Sequence, residues 1–242
     1  MKKIIVTGGD GRFAKQLKEK LKSKNYIFLN KKQLNILNRK QIEKKIKKYR
    51  PYAIFHLAGL SRPMITHEKN IEKSVELNII GTSNLVIECS KLNIKIIYFS
   101  SQYVYPGDKG NYKEDSPVLP MNNYAWSKLG GECAVHMYKN SLILRLNMTE
   151  KPWIHKYAFK NIKSNFLYHD EVIKILPSLI NHRGIINIGS NNNSILKFAK
   201  RTNKSVKGKN YKIHKNEPIM PKNSTLNISK LKRILKKKFN FI

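Results

Sequence analysis

The sequence predicts an α/β protein, a doubly wound parallel sheet followed by a small C-terminal α+β part. Three observations carry this. Short apolar runs recur at residues 3–7, 26–30, 53–57, 94–99 and 142–146, with a helical pattern between each and the next. Strands alternating with amphipathic helices are the signature of a parallel sheet covered on both faces. The first run leads directly into a glycine-rich turn and a helix, and beyond residue 147 the alternation loosens into Asn- and Lys-rich loops.

Residues 3–7 read as a buried strand, and Phe13, Leu17 and Leu21 repeat after it at helical spacing. Between them Gly8, Gly11 and Ala14 fit G-x-x-G-x-x-A. A first Gly permits the tight turn, and a second lets the backbone approach a pyrophosphate. A small third residue packs the helix close to the sheet, its N-terminus toward the phosphates. This is a Rossmann-type turn, and Arg12 and Phe13 within it join the candidate cofactor set. Residues 26–30 form the second strand, whose end in NADH-binding sites usually carries an acid for the adenosine ribose. Asn30, Lys31 and Lys32 stand there instead. Two ammoniums suit a 2′-phosphate, so NADPH is expected slightly ahead of NADH.

Residues 39–49 make an amphipathic basic helix with Ile42 and Ile46 inward, ended before Pro51. The third strand, 53–57, opens into AGLSRP, where Ala58 and Gly59 would let a cofactor lie against the backbone and Ser61 is a candidate substrate contact. Residues 67–92 read as one long helical region, 94–99 as the fourth strand, 124–138 as a helix and 142–146 as the fifth strand. Further on, 170–181, 195–201 and 228–238 read as helices and 184–188 as a strand. Ligands of such sheets bind at the carboxyl ends of the strands. Thr7, Ala58 and Ser101 all fall there.

Ser101, Tyr124 and Lys128 supply the chemistry. Tyr and Lys in YxxxK spacing lie one turn apart on the same helix face. Alone this spacing is common on amphipathic helices, where Tyr packs and Lys is solvated. A phenol keeps its proton until about pH 10 unless a neighbouring cation stabilises the phenolate. A serine hydroxyl can bind and polarise a carbonyl oxygen at the same point. Together the three suit proton exchange with an oxygen while a hydride moves at the adjacent carbon, and the glycine turn makes that reading coherent.

The chain has 242 residues with a formal charge of +33 from 48 Lys and Arg against 15 Asp and Glu. The lysines are spread along the whole chain, which disfavours a nucleic-acid footprint and favours an anionic ligand. No apolar run approaches the roughly 20 residues of a membrane span, and the short run after Lys2 and Lys3 is too brief for a signal peptide. Cys89 and Cys133 form no ligand or redox motif. A cytoplasmic protein with neither nucleic-acid nor membrane partner is expected, and a homodimer is left open. No histidine pair has metal-ligand spacing, so no metal is expected. Arg145, at the end of the fifth strand, suits either a phosphate or a structural salt bridge, and Trp153 suits either a stacked base or sugar or apolar packing.

With these residues in hand, the chain resembles the extended short-chain dehydrogenase/reductase family, nearest its dTDP-4-dehydrorhamnose reductase branch. TGGDGRFA, LNIIGTSNL, FSSQYVY and YAWSKLGGE carry the resemblance. HDEVIKIL, RGIINIGS, LKFAKR and PKNSTLNISKL extend it faintly to the C-terminal part. It implies Ser101, Tyr124 and Lys128 as the catalytic set, Gly8, Gly11 and Ala14 at the pyrophosphate, and a supporting role for Asn78. It also implies an NAD(P)-binding part over 1–147 and a substrate-binding part over 148–242 interleaved with it. The substrate-binding part is reduced, because the 145–170 stretch is shorter than in the branch. Gln102, Arg145, Asn147, Trp153 and Lys222 are the remaining candidate substrate contacts. Met220-Pro221 and Asn227 depart from the branch's closing motif, and Tyr103 stands where an epimerising relative carries a Cys. The expected activity is NAD(P)H-dependent reduction of a keto group on a nucleotide-diphosphate sugar, as in polysaccharide and dTDP-rhamnose biosynthesis. The alternatives are an epimerase or dehydratase of the same family, or a non-catalytic dinucleotide-binding regulatory subunit.

Overall fold

A computed structural model describes residues 2–191 and 193–236. Its centre is a six-stranded, all-parallel sheet in the order β10-β5-β4-β3-β1-β2. The strands are β1 (Ile4–Thr7), β2 (Tyr26–Leu29), β3 (Ala53–His56), β4 (Lys95–Phe99), β5 (Ser141–Leu146) and β10 (Gly184–Ile188). After β1 the chain runs outward to β2, then returns across β1 to place β3 on its other side. The direction of winding therefore reverses between β1 and β3, where open α/β sheets form their ligand crevice.

Side chains alternate across a strand, and here both faces are covered. Val6, Phe55, Phe99 and Leu144 point into one core with Phe13 and Leu17 of α1 (Arg12–Leu21), and with Val172 and Leu176 of α7 (His169–Leu179). Ile5, Ile54, Ile96 and Ile143 point into the other. There they meet α2 (Arg39–Tyr49), α5 (Gly81–Lys91) and α6 (Asn123–His136). Burial of each such side chain is worth about 1.5–3 kcal/mol. This explains why the strands read as unbroken apolar runs.

The region expected as one helix over 67–92 is divided. It comprises α3 (Ile65–Lys69), α4 (Ile71–Val75), a π-helical turn (Glu76–Ile80) and α5. The Asn70 side chain accepts from Lys73 N and starts α4, a local cap that an apolar periodicity cannot reveal. The π turn lies against α6 where Gly131 sits. A Cβ on Gly131 would fall 2.5 Å from the Asn78 carbonyl oxygen and 2.7 Å from the Tyr98 hydroxyl. Gly131→Ala is therefore expected to cost on the order of 1–3 kcal/mol, despite its better helix propensity. Urea unfolding checks this.

The second half adds three two-stranded pairings to the main sheet: β6 (Met148–Thr149) with β9 (Leu167–Tyr168), β7 (Tyr157–Phe159) with β12 (Lys207–Lys209), and β8 (Lys163–Ser164) with β11 (Asn193–Ser194). α8 (Ile195–Ala199) completes a third apolar cluster around Trp153, Tyr168 and Phe198. The helix expected over 228–238 is α9 (Ser229–Leu235), closed by Lys236 in the left-handed region, and residues 237–238 of that span lie outside the described residues. No described helix is long and apolar enough to cross a membrane.

Candidate active site

The crevice at the switch point has a volume of about 790 Å³. Gly8, Gly11, Arg12, Phe13 and Ala14 line one arm, and Ala58, Gly59, Ser61 and Arg62 line its flank. Tyr124, Lys128 and Asn147 lie at its centre, and Trp153, His155, Lys156 and Tyr157 line the far arm. Gly8 has φ +66°, and a Cβ there would meet Ala58 Cα at 2.8 Å, so the turn requires glycine on both counts.

A buried hydrogen-bond network ties the two strand ends to the helix that bears Tyr124. Leu57 N and Ala58 N each donate to Thr7 Oγ1 at 3.1 Å. Thr7 Oγ1 lies 3.0 Å from His56 Nδ1, and His56 Nε2 lies 2.9 Å from Thr82 Oγ1. Thr82 donates its one proton to the Asn78 carbonyl at 2.7 Å. The proton between Thr82 and His56 must then come from Nε2, leaving Nδ1 to accept from Thr7. Burial holds His56 neutral, with its pKa down at about 3. Asn78 accepts from Leu60 N through Oδ1, and its Nδ2 donates to Leu60 O and Ser127 Oγ. Ser127 in turn donates to Tyr124 O. Asn78 thus braces the wall of the crevice from behind.

The Tyr124 ring stands edge-on to His67 and Tyr103, with centroids 5.2 and 6.5 Å away. Burial raises its pKa, while the Ser101 hydroxyl and the Arg62 guanidinium pull it down. Ser101 is buried, accepts from Tyr103 N at 3.1 Å, and faces Asn147. Among the described residues no carboxylate pairs with Lys128; its Nζ lies 4.1 Å over the face of Tyr98. Burial depresses its pKa to about 7, with Glu132 one turn away opposing. A fall from 10.5 to about 7 corresponds to at most about 5 kcal/mol, offset in part by a cation–π attraction of up to about 2 kcal/mol. Because the folded pKa is depressed, the cost is full below pH 7 and absent above the ordinary lysine range. Lys128→Met is accordingly expected to stabilise the fold by on the order of 1–3 kcal/mol near neutrality, fading as pH rises toward 10. Thermal melts across pH check both size and sign.

Several expected contacts lie elsewhere. Arg145 does not face the crevice. Its position on β5 follows the parity of Ile143, which points toward α6, so the guanidinium is buried against the Glu132 carboxylate. It also donates to Tyr105 OH at 2.7 Å and to Glu114 O at 3.2 Å. Gln102 is buried, its Nε2 donating to Ser164 Oγ and Ser224 Oγ, so it joins the small lobe to the sheet rather than meeting a ligand. Lys222 is exposed and away from the crevice, its carbonyl accepting from Lys163 N. Asn30 exchanges side-chain bonds with Gln33 in the turn after β2, and Lys31 is exposed there. Trp153 lines the crevice yet is largely buried among Phe166 and Phe198, its indole N–H without a partner among the described residues. Asn147 Nδ2 and His169 Nδ1, which also border the crevice, are likewise unpaired. Arg62, Glu150, His169 and Tyr98 were not among the expected site residues, although Arg62 lies in AGLSRP, His169 opens HDEVIKIL and Tyr98 directly precedes FSSQYVY.

Residues 1–169 match the family model of the RmlD substrate binding domain. The chain belongs to that family. RmlD-type chains are extended short-chain dehydrogenase/reductases, and this chain has their fold. Over its whole length it superposes on 94% of the dTDP-4-dehydrorhamnose reductase from Bacillus anthracis in complex with NADP, with a TM-score of 0.82 at 23% identity. Among curated relatives, methionine adenosyltransferase 2 subunit beta of Xenopus tropicalis is 30% identical over 155 residues, 60% of this chain and 46% of that protein. The spore coat polysaccharide biosynthesis protein SpsK of Bacillus subtilis (strain 168) is 28% identical over 172 residues, 69% and 58% of the two chains. The chain thus spans about half the length of the curated relatives it matches.

Proposed function

We propose that this RmlD-family chain is an NAD(P)H-dependent reductase of a keto group on a nucleotide-linked sugar, of the 4-keto-6-deoxy class. The single observation that carries the reading is the convergence of the glycine turn, Tyr124 and Lys128 on one crevice, with the buried Ser101 hydroxyl close enough to the phenol to lower its pKa. The residues present fit a dinucleotide. Gly8 allows the close turn, the first turn of α1 follows Gly11 without a side-chain cap or an acid, and Asn147 and His169 offer unpaired polar atoms. The bound cofactor supplies the hydride. Ser101 holds the carbonyl oxygen, Tyr124 gives it a proton, and Lys128 provides the positive charge that steadies the phenolate left behind. Exposed Lys31 and Lys32 favour NADPH. The far arm, with Trp153, Tyr157, Lys156 and Lys209, suits a base and a diphosphate. The test is NADPH and NADH oxidation with a panel of nucleotide-linked 4-keto-6-deoxy sugars. Oxidation with at least one sugar supports the reading, and none with any sugar, despite measurable cofactor binding, removes it.

One observation favours a second reading, a dinucleotide-binding regulatory subunit. Burial raises the pKa of Tyr124, and Lys128 rests on the Tyr98 ring rather than beside the phenol, an arrangement that a binding site without turnover also permits. In that case NADPH binds and no keto sugar is reduced.

A further inference from the structure

We propose that Arg12 and Arg62 together form a seat for a diphosphate, and that Glu150 fills this seat from within the chain until a diphosphate ligand displaces it. The inference rests on the reading of the crevice as a dinucleotide and nucleotide-sugar site, and adds to it an internal competitor.

The two arginines come from opposite sides of the switch point. Arg12 is the first residue of α1, directly after Gly11, and Arg62 closes the turn that follows β3. Glu150 follows β6 and reaches between them, Oε1 3.1 Å from Arg12 Nη1 and Oε2 4.0 Å from Arg62 Nη1. All three line the crevice together with Gly8, Gly11 and Tyr124. The carboxylate side chain is 18% exposed, whereas those of Arg12 and Arg62 are 53% and 43% exposed. The cations are thus open to an incoming anion while the acid sits largely covered. Burial alone would raise the Glu150 pKa, but a backbone hydrogen bond, Arg12, His169 and Arg62 hold it below the ordinary value, so the group is a fixed negative charge at neutral pH.

A carboxylate and a phosphate offer a guanidinium the same pair of acceptor oxygens, and a diphosphate offers more of them with more charge. Two arginines cannot serve both anions at full strength, and a carboxylate left beside a diphosphate is repelled by it. Glu150 must therefore give up both partners when the ligand arrives, and that exchange weakens the observed affinity. The charge of Arg62 also lowers the Tyr124 pKa, so the occupant of the seat is felt at the phenol.

The diphosphate has two sources, the pyrophosphate of the cofactor and the diphosphate of a nucleotide sugar. Calorimetric titration separates them, using the full chain, Glu150→Gln and Arg62→Gln, with thermal melts to verify folding. NADPH is titrated first, then dTDP into each NADPH-saturated protein. Glu150→Gln is expected to tighten one of these ligands by about tenfold, and Arg62→Gln to weaken the same ligand by about tenfold. The ligand showing both changes identifies the source. NADPH binding that Glu150→Gln leaves unchanged or weakens, with no gain for dTDP, overturns the proposal and leaves the dinucleotide reading intact. A parent chain that binds neither ligand overturns both.

Discussion

Replacing Tyr124 by Phe is expected to lower turnover by about 10²–10⁴-fold while the affinity for NADPH stays within about twofold of the parent. The hydroxyl is the only group removed, and the ring continues to pack edge-on against His67 and Tyr103. Asn122 still caps α6 through Ala125 N, so Lys128 keeps its place over Tyr98. Neighbouring hydroxyls are poor substitutes. Tyr103 is buried and its pKa is pushed up to about 12, and burial raises that of Tyr98 well above the ordinary value. Steady-state kinetics beside a binding titration tests this, and a variant as active as the parent would remove Tyr124 from the mechanism.

The largest effect on stability is expected at Glu132. Its carboxylate is buried, holding the Arg145 guanidinium and accepting from Ser100 Oγ at 2.7 Å. Arg145 in turn packs on the Tyr105 ring and bonds its hydroxyl, which donates to Asn187 of β10. Glu132→Ala leaves a guanidinium uncompensated inside the protein and should cost about 3–5 kcal/mol. That is a large part of the roughly 5–15 kcal/mol available to a typical domain. If the alanine variant does not accumulate, Glu132→Gln keeps the shape and two of the hydrogen bonds, and should lower the denaturation midpoint by a smaller amount in the same direction. Because Glu132 also raises the Lys128 pKa, either variant should move the protonation of Lys128 to lower pH. A solvent-exposed pair would show neither effect.

Much of the nucleotide arm was legible because its requirements are local. A tight turn and a close backbone approach demand glycine at position 8, and a four-residue spacing puts Tyr124 and Lys128 on one helix face whatever lies around them. The strands were legible for a similar reason, since a sheet buried on both faces leaves unbroken apolar runs. What escaped depends on partners distant in sequence. Whether Arg145 met a phosphate or a carboxylate turned on the parity of β5 and on Glu132, thirteen residues earlier on another element. The Lys128 ammonium rests on a ring face from β4 rather than beside the phenol one turn away, which spacing cannot foretell. Gln102 follows Ser101 directly, yet a short 3₁₀ turn (Gln102–Val104) sends its amide inward to Ser164 and Ser224. The far arm was least legible, because β7, β12 and the Trp153 cluster pair segments about 50 residues apart with no motif to announce them.

The most direct test of the central claim follows the hydride. The chain is incubated with NADPH carrying deuterium at both hydrogen positions of nicotinamide C4 and with a nucleotide-linked 4-keto-6-deoxy sugar, and the sugar is analysed by mass spectrometry. The expected result is one deuterium on the former carbonyl carbon, transferred by the parent chain and not by Tyr124→Phe. Unlabelled sugar from a parent chain that binds NADPH, or equal labelling by the Phe variant, would contradict it.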